Sequence, residues 1–179
     1  MKHTSSACLF VLLFSAAWLF GQASPQTPKP SPELERQSFF VGTWKLEGTT
    51  KPSPFSRGEE KFESMENLEW MPGGFFLLAH SYSAGKLAEV TVIGYDPKDK
   101  VFTHTSFTSS GTTELWKGVA ENDSWTWTRD ETVDGKPMTE RLRITKTSPN
   151  SYLFVQEMKP AKEDNWFTVA EGTGTKSKG

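Results

Sequence analysis

Two histidines are the first candidates for chemistry, because imidazole is the side chain whose ordinary pKa lies nearest neutral pH. His80 lies two residues before Tyr82, and His104 shares a predicted strand face with Phe102 and Ser106. One strand is predicted between the two histidines, which puts them about 10 Å apart at ~4.8 Å per strand. Imidazoles that far apart do not share a metal, and zinc needs a third protein ligand. Each histidine is therefore interpreted either as an ordinary hydrogen-bonding group on a sheet or as a general base.

Arg141 and Arg143 alternate along one predicted strand, and Leu142 and Ile144 occupy its opposite face. If the apolar face packs inward, both arginines face solvent. If the interior is wide and polar, the pair can instead hold a carboxylate or phosphate through bidentate hydrogen bonds. The second interpretation predicts a ligand with an acidic head, held by the two arginines with His104 and Tyr82 as polar helpers.

Aromatic side chains form the other conspicuous group. Trp125 and Trp127 share a strand face, and Trp116 lies one predicted strand earlier. They form a core, line a cavity for an apolar ligand, or do both, since ligand pockets are mostly apolar and aromatic. The candidate ligand-binding residues are Tyr82, His104, Trp116, Trp125, Trp127, Arg141 and Arg143.

Acidic residues are dense on the predicted second strand, over residues 57–70. Its two faces both carry glutamates, which indicates a solvated strand. A paired-carboxylate active site would need a second acidic strand facing this one, and none is evident. The sequence also lacks a nucleophile elbow, a phosphate loop and an HExxH motif. We therefore predict no catalytic residue, no metal and no cofactor. The glutamates in question are Glu59, Glu60, Glu63, Glu66 and Glu69.

These side chains must be positioned by strands. Turn signals such as Pro72-Gly73 and Asp134-Gly135 divide the chain after Val41 into about ten short alternating segments. Short turns make neighbouring strands antiparallel, and closing the sheet removes its exposed edges. The sequence predicts an all-β fold, a single antiparallel up-and-down barrel of about ten strands, with a two-sheet sandwich as the alternative. A short helical cap is predicted over residues 32–40.

The N terminus has the pattern of a secretory signal peptide. Lys2 precedes an uncharged apolar run over residues 7–20, and small residues at Gly21 and Ala23 suit cleavage after Ala23. The run is short for a membrane span, which needs about 20 residues. We predict an exported, periplasmic or secreted protein with no stable membrane anchor. The only cysteine, Cys8, would leave with the signal, so the mature chain would have no disulfide.

The remaining chain suits a single domain. The predicted organisation is a signal peptide at 1–23, a proline-rich linker at 24–32, a barrel domain at 33–173 and a disordered polar tail at 174–179. The net charge is −2 and no basic stripe is present, so nucleic acid is not a predicted partner. The oligomeric state is left open.

Three motifs carry a resemblance to a known family: Gly42-Thr43-Trp44, the run from Trp70 to Phe76 (WMPGGFF), and Gly94-Tyr95-Asp96-Pro97. In this order the sequence resembles an uncharacterised family of secreted bacterial proteins, DUF1579, often described as lipocalin-like. The resemblance covers about residues 38–173. It implies a lipocalin or calycin-like barrel with no agreed activity. The structural roles it implies are a barrel floor at Gly42 and Trp44, a tight hairpin at Gly73 and Gly74, and a turn led by Gly94, Tyr95 and Asp96.

The nitrobindin-like haem carriers are a related type of barrel and share a Gly-x-Trp start. They hold iron through a histidine near the C-terminal end. The present sequence has no histidine after His104, so haem binding by that route is not expected.

The predicted function is an exported, non-enzymatic binding barrel for a small, partly apolar or amphiphilic molecule. Two alternatives stay open. One is a filled structural or interaction barrel without a ligand, which would be packed to ordinary interior density. The other is a barrel-type isomerase or hydrolase that uses His80 or His104 as its base.

Overall fold

The computed structural model describes residues 28–53 and 58–177. The predicted signal peptide at 1–23 and the linker residues 24–27 lie outside this range. The described residues form one short helix followed by ten strands. The strands are β1 (Gly42–Thr50), β2 (Glu60–Trp70), β3 (Leu77–Ser83), β4 (Lys86–Asp96), β5 (Val101–Thr108), β6 (Thr113–Glu121), β7 (Ser124–Val133), β8 (Lys136–Ser148), β9 (Ser151–Pro160) and β10 (Phe167–Lys176).

The ten strands close into a single antiparallel barrel. Each strand pairs with its neighbours in sequence, and β1 also pairs with β10 to complete the ring. The closing register places Trp44 opposite Lys176 and Leu46 opposite Gly174. The predicted up-and-down barrel is therefore confirmed, and the sandwich alternative is wrong. Because the sheet closes on itself, β1 and β10 pair with each other and leave no strand edge with unpaired backbone N–H and C=O groups.

A 3₁₀ helix (Pro32–Phe40) covers one end of the barrel. Its proline at the first position is compatible with a helix start, because the missing N–H would have no partner there. Leu34, Gln37 and Phe40 are its buried residues. They recur every third residue, which places them on one side of a 3₁₀ helix with three residues per turn. This side faces into the barrel, and we call this end the closed end.

The closed end is filled by five aromatic side chains, which we call the aromatic floor. The Trp44 side chain is fully buried, and its indole Nε1 donates a hydrogen bond of 2.7 Å to the carbonyl of Phe40. Phe39 stacks on Trp125 with 5.5 Å between ring centroids. Tyr152 packs beside Trp44 with its ring centroid 5.0 Å away. The residues of the aromatic floor are Phe39, Phe40, Trp44, Trp125 and Tyr152.

The two glycine motifs predicted at turns, Gly73-Gly74 and Gly94-Tyr95-Asp96, differ in where the glycines lie. Gly73 and Gly74 lie in the β2–β3 connection with φ of 95° and 73°, a conformation that favours glycine. The predicted turn led by Gly94, Tyr95 and Asp96 lies at residues 97–100, since Gly94 and Tyr95 stand at the end of β4 and pair with β5. Only Asp96 serves the turn: its Oδ1 accepts hydrogen bonds from the backbone N–H groups of residues 98 and 99.

The predicted disordered tail at 174–179 is also partly wrong, since β10 continues to Lys176. Glycines in this segment suggested fraying, but they are needed for packing. The Tyr152 ring lies about 2.2 Å from the point that a Cβ on Gly174 would occupy, and the Phe154 ring lies about 2.7 Å from that of Gly172. Aromatic rings from β9 therefore cover the backbone of β10 where it has no side chains.

Candidate ligand cavity

A cavity of about 310 Å³ lies inside the barrel, next to the aromatic floor. The inward faces of the strands line it, and Gln37 and Phe40 reach it from the helix. Its remaining lining residues are Leu46, Phe62, Glu66, Leu68, Ala79, Ser81, Glu89, Thr91, Ile93, His104, Ser106, Glu114, Trp116, Trp127, Leu142, Ile144, Tyr152, Phe154 and Gln156.

One side of the cavity is apolar. Leu142 and Ile144 enter it from β8, because alternate residues of a strand point to the same face of the sheet. Trp127 on β7 pairs with Leu142, and Phe154 on β9 pairs with Ile144. Trp116 completes this surface from β6. The apolar surface suits the body of a small hydrophobic molecule.

The opposite side is a hydrogen-bonded polar wall. The hydroxyls of Thr91 and Ser106 donate to Glu89 Oε1 over 2.8 and 2.9 Å. His104 Nε2 lies 2.7 Å from the Ser106 hydroxyl oxygen. Because Ser106 donates its proton to Glu89, we assign the His104 proton to Nε2, which then donates to Ser106. The wall is thus a chain of donors that ends on the Glu89 carboxylate.

His104 is neutral within this wall. Burial is the main cause that lowers the pKa of its imidazole to about 4; the negative charge of Glu89 opposes this shift and the positive charge of Arg129 adds to it. Its ring also contacts Trp127 edge-on, with 5.3 Å between centroids. A neutral, donating imidazole with an aromatic neighbour can orient a ligand at neutral pH without adding charge.

Glu66 is the second carboxyl of the wall. Burial raises its pKa to about 7, and the nearby charge of Glu89 acts in the same direction. The Ser81 hydroxyl donates to it over a long 3.4 Å, which offsets little of this effect. Glu66 can therefore gain or lose a proton near neutral pH, unlike an ordinary surface glutamate.

Gln37 brings an unpartnered amide to the cavity. Its side chain is 0% exposed, and neither Nε2 nor Oε1 has a hydrogen-bond partner among the described residues. A buried polar group without a partner typically costs about 1–3 kcal/mol. An amide held in this way on the cavity surface is available to a bound molecule.

A charged cluster lies farther along β7, toward the end opposite the helix. Arg129 forms ion pairs with Glu114 at 3.1 Å, Glu131 at 3.2 Å and Glu140 at 2.5 Å. Its guanidinium lies 4.7 Å from the ring centroid of Trp116. Burial raises the pKa of Glu131 despite the opposing charge of Arg129. One cation is thus shared by three carboxyls, which leaves this part of the interior acidic.

The structure brings three of the seven candidate ligand-binding residues to the cavity: His104, Trp116 and Trp127. Trp125 belongs to the aromatic floor instead. Tyr82 is 37% exposed and lies outside the cavity lining.

The expectation that Arg141 and Arg143 enter the interior is wrong. Both lie on the outer face and bond to Glu157, with distances of 2.8 and 2.9 Å. Arg141 also stacks over Trp166, 4.0 Å from the ring centroid. The physical reason is the alternation of β8, which directs Leu142 and the residues in phase with it inward.

His80 also lies outside the cavity lining. Its neighbours Ala79 and Ser81 line the cavity, so the alternation of β3 directs His80 outward. In the described part of the chain, no group of three or more His, Cys, Asp or Glu side chains is placed to hold a metal ion. None of the helices among the described residues is long and apolar enough to span a bilayer.

Sequence reasoning missed the inward carboxyls and Gln37. Glu66 stands two residues from Leu68 and four from Phe62, so its position on an apolar face was a usable signal. Glu89 alternates with Thr91 and Ile93 in the same manner. Charge density on both faces of β2 hid this pattern, because a solvated strand gives the same composition.

The closed barrel, its aromatic floor and its internal cavity define a single-domain β-barrel with a polar and an apolar interior wall. The chain belongs to the family described as "Protein of unknown function (DUF1579)", whose profile matches residues 29–176. A similar fold is seen in the crystal structure of Rv2717c from M. tuberculosis, with a TM-score of 0.55 and 13% identity. That match covers 84% of this chain and 100% of the other, and it shows the fold alone. The search of curated proteins gave no match.

Proposed function

We propose that the barrel is a non-enzymatic binding protein that holds a small, partly apolar molecule in its cavity. The observation that carries this proposal is the unpartnered amide of Gln37 on the surface of a 310 Å³ cavity. Ligand pockets start at about 300 Å³ and combine apolar walls with a few placed polar groups. The apolar surface and the polar wall of this cavity together have that composition.

A filled structural barrel fits these features less well. Protein interiors are packed with few voids larger than a water molecule. The cavity here is far larger, and its polar wall would leave Gln37 unsatisfied unless another molecule entered. A ligand that bonds to the amide and covers Trp116 and Trp127 accounts for both features.

The hydrogen-bond direction in the polar wall favours binding over nucleophilic catalysis. A catalytic serine donates its proton to a histidine base. In this barrel Ser106 donates to Glu89, and His104 donates to Ser106. His104 therefore does not activate Ser106 as a nucleophile in this arrangement.

Native mass spectrometry of the protein purified from its own host tests the proposal. We expect a mass above that of the chain, which returns to the chain mass after denaturation. An Ala79→Phe variant, which fills the cavity from β3, should lose the added mass, while His80→Phe on the outer side of the same strand should keep it. A wild-type protein that carries no added mass, with a cavity that takes up no amphiphile in solution, would contradict the proposal.

We also propose that binding takes place after export, outside the cytoplasm. The uncharged run over residues 7–20 and the small residues before Ser24 support this location. N-terminal sequencing of exported protein should begin at Ser24. An intact Met1 on a membrane-bound product would contradict the export proposal and leave the binding proposal untouched.

A further inference from the structure

The inward carboxyls determine which ligand charge the cavity accepts. Glu66, Glu89 and Glu114 line it, and no lysine or arginine appears among its described lining residues. Arg129, a cation of the barrel interior, is already bonded to three carboxyls. We propose that the ligand is an amphiphilic cation whose protonated nitrogen lies between Glu66 and Glu89. This inference rests on the proposed binding function and replaces the anionic ligand expected from the arginines.

The strand register forms a place for such a nitrogen. Glu66 on β2 is opposite Ser81 on β3, and Ser81 is opposite Glu89 on β4. The two carboxylate side chains therefore flank one small serine, with backbones about two strand spacings, or ~10 Å, apart. Ser81 donates to Glu66 and Glu89 accepts from Thr91 and Ser106, and both carboxyls line the same cavity. An ammonium group offers three donors to such acceptors, whereas a carboxylate ligand would meet like charges.

Gln37 supplies an independent indication of a ligand. It comes from the helix, it is neutral, and its amide has no partner among the described residues although it is fully buried. It lines the same cavity as Glu66 and Glu89, so its Oε1 can accept an N–H from a cation bound there. The uncharged Gln37 amide indicates that the ligand has a polar group but does not indicate the charge of that group. The two glutamates favour a positive charge on it.

The apolar body of the ligand has one direction to follow. The same cavity that Glu66 and Glu89 line is also bordered by the rings of Trp116, Trp127 and Phe154. A flat or chain-like hydrocarbon lying there would cover these rings and complete the interior packing. The ligand class is thus an organic amine with an apolar body small enough for about 310 Å³.

Proton linkage follows from the same geometry. Burial and Glu89 raise the pKa of Glu66 to about 7, so a cation bound beside it would favour the ionised form and displace a proton. Cation affinity should then rise as the pH increases through 7, and anion affinity should fall. Other titratable or charged groups face this part of the interior from the neighbouring strands. His104 and Tyr152 are neutral, and the Lys176 ammonium bonds to the Phe39 carbonyl. The full set is Glu89 on β4, His104 on β5, Glu114 on β6, Arg129 on β7, Glu140 on β8, Tyr152 on β9 and Lys176 on β10.

Three probes with one hydrocarbon chain test the inference: n-octylammonium, n-octanol and n-octanoate. Binding is followed by tryptophan fluorescence and by calorimetry in two buffers of different ionisation enthalpy. We expect n-octylammonium to bind at least about tenfold more tightly than n-octanoate near pH 8, with proton release near pH 7. Glu66→Gln should remove most of this preference and keep n-octanol binding. Glu69→Gln, an exposed glutamate on the same strand, should change neither.

Each outcome separates the two proposals. If n-octanol or n-octanoate binds as well as n-octylammonium, the cation inference is overturned and the binding function stands. An ammonium preference that Glu66→Gln and Glu69→Gln leave equally intact also overturns the assigned position of the nitrogen. If none of the three probes binds the folded protein, the cation inference is overturned, and the binding proposal fails with it when the protein purified from its own host also carries no added mass.

Discussion

The aromatic floor and the polar wall occupy the same barrel interior but differ in what surrounds their side chains. In the aromatic floor, rings lie against one another, and the buried Trp44 indole donates a hydrogen bond to the Phe40 carbonyl; Trp125 Nε1 is the one buried polar side-chain atom of the floor without a partner among the described residues. The polar wall and the adjoining Gln37 border the cavity and retain a carboxyl with a raised pKa and an amide without a partner. We expect the packed floor to contribute mainly stability and the wall, which borders the cavity, to contribute mainly binding. The difference predicts opposite responses to mutation.

The largest effect is expected in the aromatic floor. Trp44→Ala removes a fully buried indole and should lower the free energy of unfolding by about 3–5 kcal/mol, a large part of the ~5–15 kcal/mol typical of a domain. Denaturant titration measures this change. Trp166→Ala on the outer surface is the matched control and should cost less. Equal midpoints for the two variants would mean that the aromatic floor is not the main source of stability.

The Arg129 cluster should respond next most strongly. Arg129→Met leaves Glu114, Glu131 and Glu140 without their shared cation, which should lower the free energy of unfolding by roughly 2–4 kcal/mol at neutral pH. The cost should shrink at acid pH, because burial raises the pKa of Glu131 and this carboxyl then needs no cation once it is protonated. Thermal unfolding at about pH 4 and pH 8 checks both points. A pH-independent cost would mean that the loss is one of packing and not of charge.

The polar wall should give a distinctive pH dependence of stability. The raised pKa of Glu66 means that the folded state holds its proton more tightly, so stability should fall as the pH rises from about 4.5 to 7. The lowered pKa of His104 means that the unfolded state binds the proton more readily, so stability should rise from about pH 4 to 6.5. The two slopes oppose each other in the wild type.

Single variants should expose each slope separately. Glu66→Gln should leave the rise due to His104, and His104→Asn should leave the fall due to Glu66, each amounting to at most about 3 kcal/mol over its range. Chemical denaturation across that pH range is the measurement. If the free energy of unfolding changes with pH in the same way for the wild type and both variants, neither Glu66 nor His104 has the shifted pKa that its burial predicts.

The smallest effect is expected on the outer face. Arg143 is about half exposed and pairs with Glu157, so Arg143→Ala should change the free energy of unfolding by about 0–1 kcal/mol. It should leave ligand binding unchanged, because its side chain does not reach the cavity. Reduced affinity for any cavity ligand in this variant would contradict the division between inner and outer faces.

The barrel was predictable because its signals are local. Asp134-Gly135 predicts a hairpin by its own conformational preference, and nine turn signals in order leave few topologies other than a closed ring. The inner face of a strand was harder to predict where both faces are polar. Arg141 and Arg143 were the obvious charged pair, yet the alternation with Leu142 directs them outward.

Glu66 and Gln37 show what the sequence could not supply. Glu66 has charged neighbours along β2, and only the register with Ser81 and Glu89 makes it part of a wall. Gln37 lies in a helix whose composition looks solvated, and only the closure of the barrel places it inside. Both depend on contacts between residues far apart in sequence, which local patterns do not encode.

A crystal structure of the protein purified from its own host is the strictest test of ligand binding in the cavity. We predict electron density for a molecule in the cavity, within hydrogen-bond distance of the Gln37 amide and lying against Trp116 and Trp127. A cavity filled by rearranged side chains, with the Gln37 amide bonded to protein groups, would contradict ligand binding and favour a filled structural barrel.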